Sequence, residues 1–485
     1  MCPDIDQTPM PRLMPPLPAR PAARSTRPDF IRLIPALLAT LCFLPPPAAL
    51  AAPAGSPISS NDTASTESPG LIDSDLFALH AQSTFVWQGN DGFHAPYSGS
   101  QSLGRSARGA ETWDLTLYAG LHPWKGSEIW VNGEVDQGFG IGNTLGIAGF
   151  PSGEAYKIGR ATPYFRIQRA FWRQTINLGG PQELENADLD LFSEPQSENR
   201  LVITAGKFAV TDLYDSNSYA HDPRADFLNW SVIDTGTYDY AADSWGYSAG
   251  AVVEWYQGRW TLRSGGFLMS EVPNSPDLDT SFHQFQIDEE LEERHTIGGK
   301  PGKIIVTAFV SHARMADLAT ATRLAKQTGQ AADDALVRHF ANRPGISLTV
   351  EQTLTRDLAA FLRAGWSDGR YEAYEFTDID RTLAGGLSLD GTRWQRARDH
   401  IGLAGVVNVA SRQEKAYLAA GGTGLLAGDG KLPHPGAEHI TELYYDVAIR
   451  ALGHITLDYQ WIGNPAYNRD RGPVSVFAIR LHAQI

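Results

Sequence analysis

From Leu76 onward the chain is a succession of short segments in which every second residue is apolar. This period of two limits what it can become. A helix repeats every 3.6 residues, whereas a strand sends alternate side chains to opposite faces. In residues 113–119, Trp113, Leu115, Leu117 and Ala119 alternate with Asp114, Thr116 and Tyr118; the same rhythm marks 128–135, 248–255, 346–351, 358–366, 442–450 and 455–461. Each reads as a strand with one apolar and one polar face. A soluble two-sheet sandwich would give the same alternation, with the apolar face in its core. Three details favour a membrane barrel instead. The segments run for about nine to eleven residues, the length a tilted strand needs to cross a bilayer. Their apolar faces often end in aromatics (Trp87, Trp113, Trp255, Trp260, Trp366, Trp461), as at a lipid–water interface. Their polar faces carry whole charges such as Glu254, Arg263, Glu351 and Arg363, which fit a wet lumen. A sheet in lipid must close to satisfy its backbone. The last segment, with Phe477, Ile479, Leu481, Ala483 and Ile485 on one face, suits a closing strand, although many outer-membrane proteins end in Phe where this chain has Ile485.

The N-terminus supports export. Arg20, Arg24, Arg27 and Arg32 precede an apolar stretch, Leu33 to Leu44, and then a small-residue site, Ala49-Leu50-Ala51. This is the layout of a signal peptide cleaved near Ala51, with Met10 or Met14 as alternative starts. The apolar stretch is short for a membrane anchor and Pro35 interrupts it. Leu41 before Cys42 argues against a lipoprotein. Both cysteines, Cys2 and Cys42, fall in the removed piece, so no disulfide framework or thiolate metal site is expected. The removed piece carries five Arg and three Asp, which leaves the rest near −17 from the whole chain's −15. Such an acidic protein is a poor partner for nucleic acid. Residues 52–74, rich in Ser, Thr, Pro and Ala, read as a flexible leader, and 75–485 as one barrel domain. No apolar run is long enough for a membrane helix.

The expected fold is all-β: a transmembrane antiparallel barrel of about sixteen strands, with long loops and one short helical excursion. Long connections are expected near 136–160, 180–200, 212–245, 271–300 and 412–438. The segment 212–245 mixes aromatics with acids, and a loop of that kind can fold into the lumen and narrow it. Residues Met315 to Phe340 are Ala-rich and predict a helix, broken into two pieces around Lys326 to Gln330.

Charges on the polar faces are the candidate pore lining. Glu128, Glu134 and Asp136 share one face, and charge facing lipid is costly, so they are placed inside. Arg166, Arg169 and Arg173 lie close together in YFRIQRAFWRQT. Arg166 and Arg169 have opposite parity, so all three face inward only if a bulge intervenes; the alternative is arginines at a strand end. Arg263 joins the polar-face charges. Asp222, Arg224 and Trp230 are candidates for a constriction in the long loop, against an ordinary solvated loop. Enzyme motifs are weak. Gly246-Tyr247-Ser248-Ala249-Gly250 matches G-x-S-x-G but opens a strand pattern rather than a strand-to-helix turn. Gly138-Phe139-Gly140-Ile141-Gly142 lacks the strand–helix unit of a phosphate loop, and the 13 histidines show no metal-binding spacing. No catalytic residue, metal or cofactor is expected. A plugged active transporter needs about 22 strands and a plug domain, for which the chain is too short.

The residues also resemble the carbohydrate-selective porins of the OprB family. The resemblance begins at TFVWQGNDGFHAPYSGSQSL (84–103) and LYAGLHPWKGSEIWVNGEVDQGFG (117–140), and continues through AGFPSGEAYKIG (148–159), GKFAVTDLYDSNSYAHDPRADFLNW (206–230) and DYAADSWGY (239–247). It ends on GLAGVVNVAS (402–411), GDGKLPHPGAEHITELYY (428–445) and LDYQWIGNPAYNRDRGPVSVFAIRLH (457–482). It implies a barrel in the outer membrane of a Gram-negative bacterium, through which small sugars, monosaccharides above all, diffuse passively. Such transport needs weak, multi-site contacts rather than a catalytic group. The partners implied are permeant sugars and outer-membrane lipid. Homotrimer or monomer, the sugar, and a more general channel function all stay open.

Overall fold

The protein is described by a computed structural model covering residues 70–105, 109–449 and 453–485. The segments read as a signal peptide and as a leader up to residue 69 lie outside the described residues. Seventeen strands follow the alternating segments. They are β1 (Ile72–Asp73), β2 (Phe77–Asn90), β3 (Ala110–Trp124), β4 (Ser127–Gly138), β5 (Arg160–Glu185), β6 (Glu194–Phe208), β7 (Ser248–Gln257), β8 (Trp260–Leu268) and β9 (Phe285–Ile297). The second half holds β10 (Lys300–Ala316), β11 (Arg338–Thr353), β12 (Leu358–Ser367), β13 (Arg381–Gly391), β14 (Arg396–Val409), β15 (Glu438–Ala448), β16 (His454–Gly463) and β17 (Val474–Gln484). From β2 to β17 each strand pairs antiparallel with the next, and β17 returns to pair with β2, from Val476 opposite Asn90 to Gln484 opposite Gln82. The result is a closed barrel of sixteen strands. The two residues of β1, at the end of the segment read as flexible leader, pair with Leu79 and Ala78 of β2. They cover the stretch of β2 that runs past the end of β17.

The two faces of the wall differ as the alternation requires. Outward positions such as Leu117, Val131, Leu291, Val306, Leu383 and Leu457 are exposed, while inward Thr116, Glu134, Asp288, Thr307, Glu442 and Arg480 are buried. So extensive an apolar surface is unfavourable in water and belongs in lipid. Exposed tryptophans ring both edges. Trp87, Trp366 and Trp461 stand near one end of their strands, and Trp124, Trp255 and Trp260 near the other. Among the described residues no helix is long and apolar enough to cross a membrane.

The ends are unequal. At one, tight turns join the strands, at 125–126, 258–259, 298–299, 354–357 and 392–395. At the other lie the connections 91–105, 139–159, 209–247, 269–284, 317–337, 368–380, 410–437 and 464–473. Two expected loops prove to be partly strand. Most of 180–200 belongs to the β5–β6 hairpin, and 285–297 is β9. The second case has a plain cause: Asp288, Glu290 and Glu292 make β9 look solvated, but all three point into the lumen and are buried. The helical excursion is shorter than expected. Within 315–340 only Leu318–Thr328 (here α2) is helical, capped by Asp317, whose carboxylate accepts from Thr320 N at 2.6 Å, and ended by Gly329 at φ +72°. The second piece is absent: residues 329–337 are non-helical and β11 starts at Arg338. Two further helices, α1 (Trp230–Ile233) and α3 (Arg412–Ala419), lie in the loops at 209–247 and 410–437.

The 209–247 loop turns inward. Its backbone is held by inward-facing side chains on several walls. Glu442 accepts from Leu228 N at 2.5 Å, and Arg480 donates to the carbonyls of Pro223, Ala225 and Asp226 at 2.7–2.9 Å. Tyr238 donates to Asp288 at 2.8 Å. The lumen core is therefore built from loop against wall.

Candidate functional site

Why the charges converge is visible in the register of β4 against β5. Glu128 lies opposite Arg173, Asn132 opposite Arg169, and Glu134 opposite Arg166. Between the last two pairs the register slips, because Asn132–Gly133 on β4 faces Arg169–Ile167 on β5 and leaves Gln168 as an extra residue. This bulge reverses the parity, so Arg166 and Arg169 point the same way, into the lumen. Glu128, Glu134 and Asp136 share that face and are buried.

Each arginine has a different partner. Arg173 donates to Glu128 at 3.1 Å. Arg169 forms a two-pronged pair with Asp212 at the root of the long loop, at 2.6 and 2.7 Å. Arg166 lies over Trp245, 3.3 Å from the ring centroid, and 3.5 Å from Asp243. Opposite them the loop contributes Arg224, which stands 3.4 Å from Glu154, 3.7 Å from Glu134 and 4.0 Å from Asp114. Burial works against the Arg224 charge, but these acids more than reverse it and hold the guanidinium firmly protonated. Asp222 sits two residues earlier, and its carboxylate accepts from Arg224 N at 2.9 Å.

These groups surround a cavity of about 440 Å³, within the range of roughly 300–1,000 Å³ typical of small-molecule sites. Of the residues singled out from sequence, Glu134, Arg169, Arg173, Asp222, Arg224 and Trp230 line it. Glu128, Asp136 and Arg166 stand just behind, and Arg263 lies elsewhere. Arg263 is on β8, 7% exposed, and fixed by Glu254, Glu290 and Glu292 at 2.7–3.0 Å.

Sequence reasoning missed an aromatic and titratable rim. Trp230 is sandwiched between Phe150 and Phe376, with ring centroids 5.3 and 6.2 Å away. Lys157 places its ammonium 3.3 Å from the Phe376 centroid and donates to the Glu375 carbonyl. Burial lowers the Lys157 pKa to about 7, against the pull of Glu375, Asp239, Asp378 and Asp243. Asp234, also lining the cavity, is pushed up to about 8 by burial and by Asp215, against the opposing pull of Arg363. Apart from Trp230, already a candidate from the sequence, these residues come from separate loops without regular alternation, and only the stretch 148–159 carried a signal, as part of the family resemblance. On the wall itself, the amide of Asn132 and Oε1 of Gln168 have no hydrogen-bond partner among the described residues. The G-x-S-x-G run has a different part. Ser248 opens β7 and donates to the Leu268 carbonyl at 2.5 Å, so its hydroxyl is engaged in the sheet.

A solved porin structure shares this architecture. The high-pH structure of Pseudomonas putida OprB is similar with a TM-score of 0.63 at 15% identity, covering 84% of this chain and 94% of that one. Its low-pH structure gives 0.45 at 12%, covering 84% and 93%. OccK8 (OprE) of Pseudomonas aeruginosa gives 0.41 at 10%, covering 84% and 98%. No curated protein matches the chain. The model of the carbohydrate-selective porin, OprB family, matches residues 100–485. With well over half of its length under that match and a closed sixteen-strand barrel around a charged lumen, the chain belongs to the carbohydrate-selective porin OprB family.

Proposed function

We propose that this porin passes small neutral sugars, monosaccharides above all, down their gradient through the cavity between the β3–β5 wall and the 209–247 loop. The observation that carries this reading is the placement of Arg224 among Glu134, Asp114 and Glu154, beside Arg169 and Arg173. Fixed donors and acceptors of both signs can exchange hydrogen bonds with hydroxyls from several directions. Trp230, Phe150 and Phe376 add apolar surface for the faces of a sugar ring. No contact is strong enough alone to trap a neutral solute, which is what conduction requires. Glu134, Arg169, Arg173, Asp222, Arg224 and Trp230 are assigned to the constriction itself. Glu128, Asp136 and Arg166 orient or neutralise them, and Arg263 serves the fold.

In this reading the chain reaches the outer membrane after cleavage near Ala51, with its long loops outward and its tight turns toward the periplasm. Purified protein in a planar bilayer is expected to conduct ions, with monosaccharides reducing the current, and liposomes containing it should swell in sugar solutions. A channel that conducts but neither responds to nor passes any sugar in a panel would overturn the sugar assignment. N-terminal sequencing of protein from the outer-membrane fraction should begin near Ala52.

A further inference from the structure

The β5–β6 hairpin outruns the barrel. β5 reaches the rim at Gln174, opposite Ser127, yet continues to Glu185, and β6 begins only at Glu194. A straight hairpin of that length would carry its tip roughly 35 Å away, at about 3.3 Å per residue. It does not. Glu194, close to the tip, accepts from Gly126 N at 3.0 and 3.2 Å, and Gly126 itself accepts from Thr175 N at 2.6 Å at the rim. The hairpin therefore doubles back.

The bend has a location and a cause. The β5–β6 register slips on both sides of Gly179, and Gly179 and Gly180 take φ of +108° and +95°, followed by Pro181. A Cβ on Gly179 would meet nothing within 4 Å, so the backbone angle, not crowding, calls for glycine.

The returning tip enters the lumen. His80 Nδ1 is 2.9 Å from the Leu189 carbonyl oxygen, and Arg173 donates to the Asp190 carbonyl at 3.0 Å. Phe192 is buried, with its centroid 5.0 Å from Trp130 and 5.3 Å from His122. His80, Trp130 and Arg173 all face inward from the wall. Asp188, Leu189 and Asp190 thereby line the same cavity as Arg169 and Arg173, on its tight-turn side.

From this geometry we infer that the β5–β6 hairpin is a hinged gate at the tight-turn end of the pore, a second constriction in series with the inward loop, and that it sets the size of solute that can leave. The tip is attached by polar contacts to the Leu189 and Asp190 carbonyls and the Glu194 carboxylate, and by two apolar residues, Phe192 and the partly buried Leu189, while the strands beyond the rim are exposed. A segment so lightly held opens at low cost relative to the barrel. The gate rests on the reading of the protein as a channel, not on the identity of the sugar.

Two variants test it, each first shown to be folded by heat-modifiable migration. One replaces residues 178–197 by a two-glycine turn, keeping Asn177 opposite Arg200 on β6. The other is Phe192→Ala. The truncation is expected to raise single-channel conductance in potassium chloride at least twofold and to admit larger oligosaccharides in liposome swelling. Phe192→Ala should lengthen the highest-conductance dwell times severalfold with a smaller change in mean current. If the folded truncation keeps both the wild-type conductance and the wild-type size limit, or if folded Phe192→Ala keeps the wild-type dwell times, the gate is wrong. Because ion current reads the opening whatever the sugar, a conducting channel indifferent to sugars would sink the sugar assignment and leave the gate standing.

Discussion

Two regions of the lumen wall carry arginines on inward strand faces, and they have opposite characters. On β5, Arg166, Arg169 and Arg173 are half-buried at or beside an open cavity. Across the barrel, Arg263, Arg343 and Arg363 are 7%, 1% and 0% exposed. Arg363 donates to Asp215 at 2.6 Å and to the Ala220 carbonyl at 2.8 Å. Arg343 donates to Asp239 at 2.9 Å, and that same carboxylate accepts from the backbone of Tyr374, Glu375 and Phe376 at 2.7–2.9 Å. One arginine thus ties the 209–247 loop to the 368–380 loop. Residue type and strand parity are the same on both walls. What differs is how completely the guanidinium is sealed: docked loops enclose Arg343 and Arg363, and three wall carboxylates enclose Arg263, whereas the β5 arginines, though paired, stay half-buried beside the cavity. Where the guanidinium is sealed, the charge serves the fold; where it borders the cavity, we propose that it meets solute.

The sharpest way to break this distinction is Arg363→Met. Removing one partner of a buried ion pair leaves the other uncompensated, at a cost of about 3–5 kcal/mol. The 209–247 loop should loosen, the heat-modification midpoint should fall, and conductance should rise with loss of sugar block. The double variant with Asp215→Leu should recover part of the stability. Arg263→Met is a subtler test. Glu254, Glu290 and Glu292 lose their shared cation, so stability should drop by about 3 kcal/mol. Sugar block should nevertheless stay within twofold of wild type. If instead block is lost while the barrel stays folded, the docked wall is not merely structural.

Arg224→Gln addresses the open wall. It should leave the barrel intact and weaken sugar block about tenfold, the equivalent of about 1.4 kcal/mol. It should also shift selectivity toward cations, since Glu134, Asp114 and Glu154 lose their nearest positive charge. Current fluctuation analysis across a sugar concentration series reads the first effect, and reversal potentials in a salt gradient read the second.

How far the sequence reveals these walls follows from the same physics. Alternation finds a strand wherever one face meets lipid, and so the barrel was legible throughout. Parity also assigned Glu134 and Asp136 to the inside. It failed at β9, where three inward acids resembled a solvated loop. At β5 it could say only that a bulge was needed for Arg166 and Arg169 to agree, because an extra residue such as Gln168 has no composition of its own. Lys157, Asp234 and Phe376 were out of reach, since they meet only through loop docking and share no periodicity. The folded-back hairpin was missed for a related reason: its acidic, proline-containing sequence is what an ordinary exposed loop would also carry.

The smallest expected effect concerns that loop-built rim. Lys157 is cationic below about pH 7 and neutral above it. Asp234 is neutral below about pH 8 and anionic above it. Raising the pH from 6 to 9 therefore removes one positive charge from the cavity margin and then adds one negative charge. Both changes push in the same direction, toward cations. The ratio of potassium to chloride permeability should climb in two steps, by about twofold overall, an amount set by screening at the salt used. Lys157→Met should abolish the lower step and leave the upper one, while Asp234→Asn should do the reverse. Sugar block should change little across the same range, and the two groups act oppositely on stability: the raised Asp234 pKa lowers it as the pH climbs to about 8, and the lowered Lys157 pKa raises it above about pH 7, so that little net change remains at pH 9. A pH profile that instead follows heat stability would mean that the rim is part of the docked core and not of the open wall.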